Sequence, residues 1–80
     1  MRNVEPLVLE GYSRDEIIHL LSHQRRVFSR PSISSATFYR WIGELSISPK
    51  FRYSESDLHR LMRLCIHYSQ GGKTSTLPDI

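Results

Sequence analysis

Within the segment SATFYRWIGEL (35–45), Tyr39 and Arg40 stand side by side between two other aromatics, Phe38 and Trp41. An arginine carries a planar fork of donors that bonds bidentately to a phosphate or to the edge of a guanine. A tyrosine hydroxyl is a good donor to a phosphate oxygen. Ser35 and Thr37, just upstream, add hydroxyls that can serve a phosphate beside the free N–H groups of a helix start, or can cap that helix instead. These are groups for holding a ligand. None is paired with a base that would make it a nucleophile.

The elements that must position them follow from the spacing. Phe38, Trp41, Ile42 and Leu45 fall at i, i+3, i+4 and i+7, which predicts a helix with one buried stripe. The same wheel turns Tyr39 and Arg40 away from that stripe, and Gly43 lies on their side, where it would either let a backbone approach closely or begin the end of the helix. A solvated outer face is the plain alternative for Tyr39 and Arg40. Core packing accounts for Phe38 and Trp41.

Other chemistry finds little support. Cys65 is the single cysteine, so neither an internal disulfide nor a CxxC zinc pair is available. Cys65 and His67 point to different sides of a helix, and His59 and His67 lack the spacing of a metal pair, with Arg63 between them. No glycine-rich phosphate loop or paired carboxylates stand out, so neither an enzyme, a metal nor a cofactor is expected. Eighty residues suffice for one small domain with a thin core, which suits a binding surface better than a deep cavity. Apolar runs are too short for a membrane span, and the acidic N-terminus does not resemble a signal peptide. The expected location is the cytoplasm.

Charge is unevenly distributed. Residues 1–22 carry Arg2 and Arg14 against Glu5, Glu10, Asp15 and Glu16, a balance of −2. Residues 23–63 carry eight cations against Glu44, Glu55 and Asp57, a balance of +5, and seven of the eight are arginine. Such a belt suits a polyanion. Arg25, Arg26 and Arg30 close the first helix, where they serve either a phosphate or the negative helix end. Lys50 and Arg52 follow the second helix in a loop.

Two helix starts rhyme: YSRDEI (12–17) and YSESDL (53–58) each place a serine three residues before an acid, a capping-box signature. The first helix is expected from Arg14 to about Phe28, with Ile17, Leu20, Leu21, Gln24 and Phe28 on its inner face and His19, Ser22 and Arg26 opposite. Arg30-Pro31 should end it before a tight turn, and Ser34 or Ser35 should cap the second helix. SISPKFRYS (46–54) reads as a short hairpin with Ile47, Phe51 and Tyr53 around Pro49-Lys50. A third helix follows Ser54 and stops near Gln70, before Gly71-Gly72. Residues 1–12, containing VEPLVL (4–9), are expected as an N-terminal arm, and 71–80 as a flexible tail. Helix, turn, helix, hairpin and helix describe a mainly α domain over 13–70 with a winged helix-turn-helix plan.

With these segments identified, SISSATFYRWI (32–42) resembles the recognition-helix segment of the MerR-like and excisionase (AlpA-like) small DNA-binding proteins. FRYSESDLHRL (51–61) is similar to the wing and following helix of MerR-type regulators. The resemblance implies sequence-specific binding of double-stranded DNA by a small transcriptional regulator or excisionase-like architectural factor. Ser35, Thr37, Tyr39 and Arg40 would face the major groove, and Lys50 and Arg52 would follow the backbone from the wing, with the helix-end arginines. No small-molecule effector is expected; a homodimer or a cooperative assembly on DNA is.

A second reading stays open. The third helix shows a broad apolar arc of Leu58, Leu61, Met62, Leu64, Cys65, Ile66 and Tyr68. Part of it, Leu64, Ile66 and Tyr68, is a candidate protein interface, unless the VEPLVL arm covers it. The alternative function is thus a protein-interaction module on a winged-helix fold that does not bind DNA.

Overall fold

The computed structural model describes residues 10–77. Three α-helices dominate: α1 (Arg14–Val27), α2 (Ser35–Glu44) and α3 (Glu55–Ser69), followed by a 3₁₀ turn at Thr74–Thr76. No strand forms among the described residues, and no helix there is long and apolar enough to cross a membrane. The VEPLVL segment lies outside the described residues.

Each helix begins where local chemistry places it. Ser13 Oγ accepts from the Glu16 N–H at 3.1 Å while Glu16 Oε1 accepts from the Ser13 N–H at 3.0 Å. Ser54 and Asp57 repeat the exchange at the head of α3, at 3.0 and 3.2 Å. Ser34 caps α2 by accepting from the Thr37 N–H, which leaves Ser35 as an exposed first-turn residue.

The three helices also end alike. The residue two beyond the cap, Arg30, Ile47 or Gly72, donates its N–H back across the last turn to Arg25, Ile42 or His67, and the residue between turns left-handed. That middle residue is Gly71 after α3, but Ser29 and Ser46, each at φ 57°, after α1 and α2. The first helix therefore stops at Val27, ahead of the proline signal. Residues 28–34 form a longer connection than the tight turn expected.

Residues 46–53 do not fold back as a hairpin. The backbone of Tyr53, which would have closed it, pairs with Tyr12 instead, each N–H donating to the other's carbonyl at 2.8 Å. Gly11, at φ 82°, permits this approach, since a Cβ there would run into the Tyr53 carbonyl. The two rhyming tyrosine-serine pairs thus lie side by side, and α1 and α3 start from one bridge.

The core gathers Ile17 and Leu21 of α1, Phe38, Trp41 and Ile42 of α2, and Leu61, Leu64 and Cys65 of α3, all at most 1% exposed. α3 packs against both other helices. Tyr53 joins the core, edge-to-face on Phe38 at 5.4 Å, while its hydroxyl accepts from the Lys50 N–H. Ser22 turns inward, contrary to its expected place, because its hydroxyl accepts from the Ile33 N–H and so anchors the connection between α1 and α2. Leu20, expected inside, is 36% exposed. Residues 71–77 touch the helices: Leu77 packs against the core, and the Lys73 carbonyl accepts from His67 Nε2 at 2.9 Å.

Candidate nucleic-acid interface

The outward face of α2 presents Ser35, Ala36, Tyr39, Arg40, Gly43 and Glu44 to solvent. It follows from the stripe that holds the opposite face inside. Thr37 is set apart from it: half-buried, it takes a hydrogen bond from the Ser34 hydroxyl at 3.2 Å and supplies the N–H that Ser34 caps. Thr37 therefore shapes the helix start.

One edge of α2 meets the head of α1 and the loop before Tyr53. Ser13, Arg14, Asp15, Tyr39, Lys50 and Phe51 line a shallow groove there. Arg14 donates from Nη1 to the Tyr39 hydroxyl at 3.1 Å, and its guanidinium lies 5.9 Å from the centre of that ring. The hydrogen bond to Tyr39, followed by the one to Asp15, holds the Arg14 guanidinium above its ordinary pKa. Tyr39 keeps 43% of its surface exposed. Arg14 joins this groove by a contact the sequence did not reveal: counted by segment it belongs to the acidic end, and only a contact across 25 residues brings it to α2.

The other edge of α2 lines a second shallow groove with Arg25, Arg40, Trp41, Glu44, Tyr68 and Thr74. Arg40 is exposed and makes no hydrogen bond or ion pair among the described residues. Arg25 lies over the Trp41 ring at 5.9 Å and donates from Nε to the Pro31 carbonyl at 2.7 Å. Tyr68 donates to Glu44 Oε2 at 2.9 Å and meets the Thr74 hydroxyl at 3.0 Å. Burial first, and then the bond to the Glu44 carboxylate, hold the Tyr68 hydroxyl above its ordinary pKa, while the bond with Thr74 works the other way.

The remaining cations divide. The Arg26 side chain is exposed and, among the described residues, makes no hydrogen bond or ion pair. Arg30 donates from Nε to the Ser69 carbonyl at 3.1 Å, closing the end of α3 and not that of its own helix. Lys50, half-exposed, pairs with Asp57 at 3.2 Å. Arg52 is tied into the fold: its Nη2 donates to the Gly11 carbonyl at 2.8 Å, its Nε to the Glu10 carbonyl at 3.3 Å, and its Nη1 lies 3.4 Å from Glu16 Oε1. It holds the segment before α1 against the loop, so the expected phosphate role goes to a residue with structural work.

The apolar arc of α3 is mostly interior. Leu64 is fully buried, which corrects its place in a protein interface; the arc is broad because α3 faces both other helices. Ile66 and Tyr68 are half-buried, and Tyr68 belongs to the groove beside Arg40. Cys65 is buried, its thiol near the Leu21 carbonyl, and burial pushes its pKa up. Among the described residues no cluster of histidine, cysteine and acidic side chains has the makings of a metal site. Comparison with protein-family models, curated proteins and solved structures finds no match for this chain.

Proposed function

We propose that this chain binds double-stranded DNA sequence-specifically, with α2 as its recognition helix, and serves as a small transcriptional regulator or excisionase-like architectural factor on a winged helix-turn-helix plan. The observation that carries the reading is the arrangement around α2. Its outward face is polar and narrow at Gly43, and cations from other elements stand at both edges, Arg14 and Lys50 beside Tyr39, Arg25 beside Arg40. A helix with that outline suits a major groove about 12 Å wide, whose phosphate walls would meet the flanking cations.

Roles follow from each residue's commitments. Arg40, whose side chain makes no hydrogen bond or ion pair among the described residues and only stands near the Tyr68 hydroxyl, reads a base edge, guanine being its commonest partner. Tyr39, already oriented by Arg14, and Ser35 at the helix start contact phosphates. Arg25 and Arg26 hold the backbone on one side and Lys50 on the other, while Arg30 and Arg52 keep these parts in place. The loop over residues 46–52 stands where a wing would, without its strands. No cofactor or effector enters this account, and assembly as a homodimer or cooperatively on DNA belongs to it. With Leu64 in the core, the protein-interaction reading rests on Ile66 and its neighbours on α3, and no observation favours it.

The test is a pair of substitutions measured on a panel of duplexes. Arg40→Ala should cost about 1–3 kcal/mol on the preferred sequence and flatten the preference, whereas Lys50→Ala should weaken all sequences alike. Loss of affinity in both, with preference untouched, would remove α2 from the recognition role.

A further inference from the structure

Phe51 is the most exposed large apolar side chain among the described residues, at 85%. Its loop is anchored on both sides. Ile47 is buried and donates its N–H to the Ile42 carbonyl at 2.8 Å. Tyr53 is buried, bridged to Tyr12 through its backbone, and takes the Lys50 N–H on its hydroxyl at 3.2 Å. Between these anchors Arg52 turns inward to the Glu10 and Gly11 carbonyls. The Phe51 ring is therefore presented outward by fixed neighbours.

Its surroundings decide what it suits. Phe51 lines the same groove as Tyr39, Arg14 and Lys50. A protein hot spot sits in a packed pocket surrounded by contacts that exclude water. Phe51 stands instead almost wholly exposed, sharing a shallow groove with Tyr39 and the cations Arg14 and Lys50, at the rim of the face assigned to the duplex. Proteins that deform DNA place an apolar side chain between two base pairs from the minor groove while cations grip the adjoining phosphates.

Resting on the DNA-binding reading above, we propose that Phe51 enters a base-pair step of the bound duplex as a wedge and bends it. Arg14 and Lys50 would hold the phosphates next to the opened step. Flexible steps such as TA should be preferred there, since they unstack most easily, which would add sequence preference beyond the bases that Arg40 touches.

The test uses the full chain and a mixed-sequence duplex of roughly 30 base pairs containing TA steps, with a fluorophore at each end. A parallel duplex carries 2-aminopurine at one of those steps. Wild type should raise energy transfer, reporting a bend of about 20–90°, and brighten the 2-aminopurine as it unstacks. Phe51→Ala, whose melting temperature should match wild type because the ring packs on nothing inside, should still bind, within about tenfold, but lose both signals; Phe51→Leu, another apolar wedge, should keep them. Equal bending by wild type and Phe51→Ala, or binding by wild type without a bend, would overturn the wedge and leave the DNA-binding reading standing. No binding by wild type at low salt would overturn that reading, and the wedge with it.

Discussion

Asp57 holds two positions at once, and its protonation reports on both. Its carboxylate accepts the Ser54 N–H to start α3 and pairs with Lys50 of the preceding loop. Burial alone would push its pKa up, but the hydrogen bonds from Lys50 and Ser54 outweigh that, and the carboxyl is held below its ordinary value. A carboxylate depressed in the folded state stabilises it at pH values above the unfolded pKa, and the contribution fades as pH falls through the lower, folded value. Asp57→Asn should therefore destabilise the domain by about 1 kcal/mol or less at neutral pH. The gap from wild type should shrink below about pH 4, where the unfolded carboxyl binds its proton. Urea unfolding at pH 7 and pH 3 checks this; an equal gap at both would show that the charge contributes nothing. Arg40 lies at the other extreme among these side chains, with no internal hydrogen bond or ion pair among the described residues to set against a ligand.

At the scale of elements, α2 combines a rigid inner face with an outer face trimmed at Gly43. A Cβ at Gly43 would meet nothing within 4 Å, so the glycine is not required by the fold. Gly43→Ala should raise stability by about 0.5–1 kcal/mol, as alanine favours a helix. The same change should weaken DNA binding if duplex and helix backbone come together there. Thermal melting and a binding titration on one sample separate the two effects, and a variant that gains stability with unchanged affinity would move the contact elsewhere on α2. The helix ends supply a second expectation. Ser46 adopts φ 57° with a side chain that disfavours it, so Ser46→Gly should stabilise by up to about 1 kcal/mol in a melting experiment. An unchanged or lower melting temperature would mean that the serine offsets its strain.

The same elements show what the sequence made legible. Both capping boxes and the α2 stripe could be read because their partners lie three or four residues apart, within one turn. The hairpin could not be excluded that way: Tyr53 looks like a strand residue beside Phe51, but its backbone partner is Tyr12, which no local pattern reveals. Arg52, expected along the duplex backbone, and Arg14, given no site role from the sequence, make contacts that no local pattern reveals. One is drawn to the carbonyls of Glu10 and Gly11, the other across to Tyr39. Leu64 reads from the sequence as a candidate interface residue because an apolar arc on a single helix does not show that α3 packs against two other helices.

For the molecule as a whole, the +5 balance of residues 23–63 sets how binding should respond to salt. Cations at both edges of α2 allow roughly four to six phosphate contacts, so log affinity should fall against log salt with a slope of about −4 to −5. The most direct measurement is selection from a random duplex library at low and at moderate salt, followed by sequencing of the bound fraction. An enriched motif that survives moderate salt is the predicted result, and the motif should be lost when Arg40→Ala is used in the same selection. Retention at low salt with no motif would contradict sequence-specific recognition by α2, and no retention at either salt would contradict DNA binding altogether.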